Sequence, residues 1–385
     1  MRTMSDTMAQ FAALGARQGN PYGLGTSPGR LESIDDFGSN PGQLRALCYR
    51  PPDLPDKAPL VVVLHGCKQN AGDYDLRSGW SQLADQAGFA LLYPEQNPGN
   101  NPNLCFNWFR PGDARRDRGE ALSIRQMIAT MIEADGLDRD RVFVTGLSAG
   151  GAMANVMLAT YPEVFAGGAI IAGLAYGCAS TVPEAFDCMR GHAAASDEDL
   201  WALLRQASSH TGPWPRVAIW QGMADHTVAP SNAEDIAAQW RSVHHLDAAT
   251  PQEDISGGRV RRIWRDAAGE AVIELNTVAA MGHGTPLGGD LGTPGPFMLD
   301  VGISSTREIA RFWGIAAGEA VAASSRPAAG TRRASASPPA FSRPSRPREA
   351  SEEGGAGVSS PETAGGVGRI KGVIEQALRA AGLMN

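Results

Sequence analysis

The chain has 385 residues, 43% of them apolar, and 34 Lys plus Arg against 41 Asp plus Glu give a net charge of −7. That is material for one α/β domain of about 250 to 300 residues with appendages, or for two modest domains. A mild negative charge with no basic stripe ahead of the C-terminal tail argues against nucleic acid as a partner of the folded part. No apolar run reaches the roughly 18 residues that span a bilayer.

Residues 1–30 are polar and glycine-rich after a short Met4, Met8, Phe11 face, and read as an arm. They lack the apolar stretch of a secretory signal, so the chain as written is expected to start in the cytoplasm. From there the pattern alternates. Strands are expected at Gln43–Arg50, Pro59–His65, Phe89–Tyr93, Arg141–Thr145, Gly168–Ala172, Arg216–Gln221, Val260–Trp264 and Ala271–Leu275, and helices at Ser78–Ala87, Arg118–Ala134, Ala149–Tyr161, Ser231–Val243 and Ser305–Trp313. Strand alternating with helix predicts a mostly parallel central sheet with helices on both faces, in a single catalytic domain over residues 31–315. The stretch Gln96–Arg116, rich in Asn, Pro and Gly, is too long for a plain connection and belongs on the rim of a site.

After Gly314 the composition shifts to Ala, Ser, Pro, Gly and Arg. Residues 316–368 cannot bury enough surface to fold, and read as a disordered linker. In residues 369–385, Ile370, Val373, Ile374, Ala377, Leu378 and Ala381 share one helical face. So short a helix needs something to dock on, either its own domain or a hydrophobic surface.

The informative stretch is Arg141–Gly151, in which a strand breaks at Gly146, presents Ser148 and enters a helix. This is the pattern of the nucleophile elbow in α/β-hydrolases, where the serine stands on a sharp turn clear of the sheet and the flanking glycines avoid collisions. A second match, Gly25-Thr26-Ser27-Pro28-Gly29, has no strand before it, and Pro28 removes the N–H an oxyanion would need. Serine needs a histidine base and a carboxylate, which in this fold follow in that chain order: nucleophile, acid, histidine. Asp225 lies on the loop after the strand Arg216–Gln221, where catalysts gather in open α/β sheets, and His283 lies between two glycines after the strand Ala271–Leu275. The rivals His192, His210, His226, His244 and His245, and Asp254 and Asp290, fit the order or the strand ends less well. The oxyanion hole is expected from the Ala149 amide and from the Cys67 amide in the turn His65-Gly66-Cys67. The five cysteines, Cys48, Cys67, Cys105, Cys178 and Cys188, allow two local pairs with one left over, or buried free thiols throughout.

Taken together, His65-Gly66-Cys67-Lys68-Gln69, Cys105-Phe106-Asn107-Trp108-Phe109, Gly146-Leu147-Ser148-Ala149-Gly150-Gly151, Ala175-Tyr176-Gly177-Cys178 and Gly282-His283 resemble the polyhydroxybutyrate depolymerase family of esterases, kin of feruloyl and acetylxylan esterases. The likeness runs from about Gln43 to Trp313. It implies a serine esterase with the Ser148, Asp225, His283 triad, needing no metal or other cofactor, that acts on polyhydroxybutyrate-type oligomers or short-chain hydroxyalkanoate esters. Feruloyl or acetylxylan ester hydrolysis is the alternative, and a non-catalytic polyester-granule binder is the reading from another class. The resemblance further implies a Cys67–Cys105 disulfide beside the oxyanion turn, a second between Cys178 and Cys188, and an extracellular or periplasmic location. It places Trp108 on the acyl-binding cleft, against the alternative of a core aromatic.

Overall fold

The computed structural model describes residues 29–192 and 196–316. Ser27, the N-terminal arm through residue 28, the linker beyond Ala316 and the amphipathic segment 369–385 lie outside the described residues.

The framework is a ten-stranded mixed sheet. Its strands are β1 (Glu32–Ile34), β2 (Arg45–Tyr49), β3 (Leu60–Leu64), β4 (Ala90–Glu95), β5 (Val142–Leu147), β6 (Gly167–Ile171), β7 (Arg216–Gly222), β8 (Gln252–Ser256), β9 (Arg259–Arg265) and β10 (Ala271–Val278). They lie side by side in the order β1-β2-β4-β3-β5-β6-β7-β10-β9-β8. The run from β4 to β10 is parallel, and antiparallel strands close both flanks. This is the α/β-hydrolase architecture expected from the sequence. The Leu60–Leu64 and Val142–Leu147 strands are buried along their whole length because helices cover both faces, which is why they read as continuous apolar runs.

One face is covered by helices Gly119–Asp135, Ala149–Thr160 and Ser231–Val243, whose Ile124, Met127, Val156, Ile236 and Trp240 join Val62, Val144 and Ile219 in a single core. Helices Ala71–Ser78, Trp80–Ala87 and Ser305–Trp313 cover the other. There Trp313 stacks on Phe143 at 4.9 Å and on Trp80 at 5.8 Å. The helix expected over Ser78–Ala87 starts at Trp80, and a helix not expected from the sequence, Ala71–Ser78, precedes it; Gly79, with φ of 75°, ends the first and starts the second. A Cβ there would meet the Gly292 backbone nitrogen at 2.6 Å.

The sequence reading omitted helices Val182–Met189 and Asp197–Gln206, which form an excursion between β6 and β7, and the strands β1, β8, β11 (Thr285–Leu287) and β12 (Met298–Asp300). β8 pairs with β9 across the two-residue turn Gly257-Gly258, both at positive φ. That pairing is the ordinary chemistry of a tight hairpin.

Because β5, β6, β7 and β10 are parallel neighbours, the loops that leave their C-terminal ends share one edge of the sheet. Ser148, Asp225 and His283 follow β5, β7 and β10 respectively, so the topology gathers residues far apart in sequence on that edge.

Candidate active site

Ser148 stands between β5 and helix Ala149–Thr160 with φ 57° and ψ −119°, a strained conformation for a residue with a side chain. Its N–H donates to the Ile171 carbonyl at 2.9 Å, and its carbonyl accepts the first helical bond from Ala152 N–H at 2.8 Å. The turn is tight because the neighbours lack side chains. A Cβ on Gly146 would lie 2.4 Å from the Gly150 carbonyl carbon, and one on Gly150 would lie 2.3 Å from the Leu64 carbonyl oxygen and 2.5 Å from that of His65. The glycines therefore seat the elbow directly against the His65-Gly66-Cys67 turn. Neither the Cys67 nor the Ala149 N–H donates to a backbone carbonyl among the described residues.

The side chains of Asp225 and His283 meet. His283 Nδ1 lies 2.7 Å from Asp225 Oδ2, both side chains almost wholly buried. Asp225 is clamped from every side: Oδ1 accepts the N–H groups of Thr227 at 2.8 Å and Val228 at 2.9 Å, and Oδ2 also accepts Gln221 Nε2 at 3.2 Å. An acceptor-only carboxylate fixes the Nδ1–H tautomer, which leaves Nε2 as a base. Glycine again permits the approach, since a Cβ on Gly222 would lie 2.3 Å from the Met281 carbonyl oxygen. The Ala224 N–H donates to that same carbonyl at 2.9 Å, and Phe297 packs edge-on against the His283 ring at 6.0 Å.

Rival groups are engaged elsewhere. His210 bonds to the Pro213 carbonyl and His244 to that of Pro215, Asp254 lies on the exposed hairpin strand β8, and Asp290 pairs with Arg307.

Cys67 and Cys105 form a disulfide that ties the oxyanion turn to the rim loop 96–109, and the Lys68 N–H adds a bond to the Asn103 carbonyl at 2.8 Å. The second expected pairing is corrected: Cys178 and Cys188 are free thiols. The Cys188 thiol is hydrogen-bonded to the Cys178 carbonyl oxygen at 2.8 Å. The Cys178 thiol, donating to the Cys188 sulfur and buried, is pushed well up from the ordinary thiol range. Trp108 is 8% exposed and packs edge-on against Phe109 at 5.4 Å beneath the rim.

Two participants went unread in the sequence. Gln221, at the end of β7, holds the catalytic-side oxygen of Asp225, and its position four residues before the acid was the available signal. Glu120, at the start of helix Gly119–Asp135, is fully buried beneath the rim loop. Burial raises its pKa to about 7 against the pull of bonds from Gln96 and Asn107.

An α/β-hydrolase sheet with a serine elbow and a carboxylate-held histidine on the same edge is the arrangement of the serine hydrolases. The comparisons narrow it. Residues 44–260 match the profile described as Esterase PHB depolymerase, and the chain belongs to that family of carboxylic ester hydrolases. Poly(3-hydroxyalkanoate) depolymerase C of Paucimonas lemoignei is 43% identical over 74% of this chain and 70% of its own length. The acetylxylan esterase of Coprinopsis cinerea is 32% identical over 68% of this chain and 71% of its own. Among solved structures, the acetyl xylan esterase from Aspergillus awamori superposes with a TM-score of 0.65 at 26% identity, covering 75% of this chain and all of that one.

Proposed function

We propose that Ser148, His283 and Asp225 hydrolyse carboxylic esters through an acyl-enzyme. The observation that carries the proposal is the 2.7 Å His283–Asp225 bond on the sheet edge from which the Ser148 elbow projects. His283 Nε2 takes the Ser148 hydroxyl proton as Oγ attacks the ester carbonyl. The amides of Cys67 and Ala149, neither of which donates to a backbone carbonyl among the described residues, receive the developing oxyanion. Collapse of the tetrahedral intermediate expels the alcohol, which leaves with the proton from His283. Water, deprotonated by His283, then attacks the acyl-serine and releases the acid, restoring the serine hydroxyl. The chemistry calls for no metal or organic cofactor.

For substrate, the 43% identity to a poly(3-hydroxyalkanoate) depolymerase favours hydroxybutyrate-type oligomers or short-chain hydroxyalkanoate esters. Acetylxylan is the second reading, favoured by the superposition with the Aspergillus awamori enzyme. Trp108 is assigned to the floor of the acyl cleft, since the loop that carries it is disulfide-linked to the oxyanion turn. That disulfide also supports an oxidising, extracellular or periplasmic compartment. Among the described residues no helix is long and apolar enough to cross a membrane.

Hydrolysis of p-nitrophenyl butyrate by the wild type and by Ser148→Ala tests the mechanism, with a loss of at least about a thousandfold expected in the variant. Undiminished turnover would refute it. Hydroxybutyrate oligomers, acetylated xylan and methyl ferulate compared side by side rank the substrates, and a preference for either plant ester would overturn the polyester assignment.

A further inference from the structure

Asp225 holds the Nδ1 side of His283, and a second neighbour borders the same ring: Phe297, edge-on with the ring centroids 6.0 Å apart. Phe297 is only half-buried, so its phenyl ring lies against the imidazole and still reaches solvent.

Its backbone is unusual for such a residue. Gly295, Pro296, Phe297 and Met298 form a tight turn, in which Met298 N–H donates to the Gly295 carbonyl at 2.9 Å and Gly295 N–H to the Met298 carbonyl at 3.0 Å. Proline fixes a negative φ at the second position, and Phe297 at the third has φ 60°. That combination is the type II turn, whose third residue is ordinarily glycine because a side chain there is strained. A bulky aromatic persists at such a position only where its surroundings hold it. Here they do. The Phe297 carbonyl accepts the Thr285 N–H at 2.8 Å, where β12 pairs with β11. The Thr285 hydroxyl shares a 3.2 Å hydrogen bond with that of buried Tyr74. Gly284 leaves room, since a Cβ there would lie 2.7 Å from the Phe297 carbonyl oxygen. Turn chemistry alone would place glycine at 297, yet the chain carries a phenyl ring there, beside His283.

The reaction dictates what that ring meets. When the tetrahedral intermediate collapses, His283 Nε2 hands its proton to the leaving oxygen, which must come within about 3 Å of that nitrogen. The carbonyl oxygen is drawn elsewhere, to the amides of Cys67 and Ala149. The carbon that bears the leaving oxygen, with any group attached to it, therefore lies against the imidazole and against what borders it.

We infer that Phe297 forms an apolar wall of the leaving-alcohol subsite and receives the alkyl branch of a secondary alcohol at the carbon that bears the leaving oxygen. The inference rests on the ester-hydrolase reading of Ser148, His283 and Asp225, and gives that reading an alcohol preference. A hydroxybutyrate unit carries such a branch, a methyl group.

Phe297→Gly removes the ring and supplies the residue that the turn favours, so the fold should survive. Two pairs of esters read the variant. Ethyl and isopropyl butyrate differ by one methyl group in the alcohol, and p-nitrophenyl acetate and butyrate differ only in the acyl chain. We expect the isopropyl-to-ethyl ratio of kcat/KM to fall about fivefold from its wild-type value, short of the tenfold or more that an enclosed pocket gives per methylene, while the butyrate-to-acetate ratio stays within about twofold. An unchanged alcohol ratio, a joint shift of both ratios, or an equal loss on all the esters would overturn the assignment, the last because it would leave Phe297 a support for His283 alone. Phe297→Asn, polar but tolerant of positive φ, should lower the alcohol ratio in the same way. Circular dichroism checks folding; if neither variant folds, the ring is a packing anchor and the wall is refuted. Ser148→Ala is run on the same esters, and hydrolysis that survives it would remove the ester-hydrolase reading itself, whatever Phe297 does.

Discussion

Replacing Asp225 with asparagine changes one atom, and the surrounding bonds dictate which one. Oδ1 is held by two main-chain donors, Thr227 N–H and Val228 N–H, at 2.8 and 2.9 Å, so the amide oxygen of the variant must stay there. The new NH2 then occupies the Oδ2 position, 2.7 Å from His283 Nδ1 and 3.2 Å from Gln221 Nε2. Gln221 cannot turn its own oxygen inward without abandoning the carbonyls of Gly222 and Val228, to which its Nε2 also donates. The imidazole yields instead, becoming an acceptor at Nδ1 and carrying its proton on Nε2, the atom that has to take the proton from Ser148. The expected loss in kcat is about 10⁴-fold, the scale of the same tautomer error in other serine hydrolases, or about 5.5 kcal/mol of barrier. Stability should fall by only about 1–3 kcal/mol, for the one donor left facing a donor. Initial rates on p-nitrophenyl butyrate, with thermal unfolding alongside, read both quantities. A folded variant within about tenfold of wild type would refute the orientation argument.

Gly150→Ala places a Cβ 2.3 Å from the Leu64 carbonyl oxygen, a backbone atom that cannot step aside, and should lower stability by about 3 kcal/mol or more and abolish most activity; calorimetry and the ester assay check both. Cys105→Ser opens a disulfide spanning 38 residues and should cost about 4 kcal/mol on the loop-entropy account, read by urea unfolding. Glu120 titrates near 7 in the folded protein, above the ordinary glutamate value of 4.5, so its protonation favours the folded state. That contribution is full below the unfolded value and is lost as pH rises through about 7. The melting-temperature difference between wild type and Glu120→Gln should therefore drift against the wild type from pH 5 to pH 8, and a constant difference would contradict the shift. Trp108→Ala should raise KM for butyrate esters more than for acetate esters if the ring floors the acyl cleft; an equal effect on both would return Trp108 to a purely structural role.

Where the sequence pattern was local, it was decisive. Val142–Leu147, Ser148 and helix Ala149–Thr160 form a strand, a turn and a helix contiguous in the chain, and steric crowding alone demands glycine at 146 and 150. Helices Ser231–Val243 and Ser305–Trp313 have the bounds their periodicity predicted, because each buries one apolar face on the sheet. β8, with the sequence Gln-Glu-Asp-Ile-Ser, is exposed throughout. It has no buried face to leave an apolar alternation, and it exists because β9 offers it a ladder of backbone bonds. The helices between β6 and β7 escaped notice for a related reason: the segment reads as a connection, and its place is set by partners such as Gln239, which bonds both Tyr176 and Leu200.

The chain by itself determined that Ser148, Asp225 and His283 each follow a strand end, since turn sterics and strand periodicity mark those ends. Tertiary structure alone decided which polar groups were to be buried together. Asp225 and His283 are 58 positions apart, and their bond depends on β7 and β10 becoming parallel neighbours. Glu120 reads as an ordinary charged residue in a helix's first turn until the rim loop folds over it and fills its oxygens with amide donors. Cys178 and Cys188 look equally ready to pair with each other as Cys67 and Cys105 do. Which sulfurs bond was set by the local packing of the folded chain, in which Cys67 and Cys105 join while the Cys188 thiol is hydrogen-bonded to the Cys178 carbonyl oxygen.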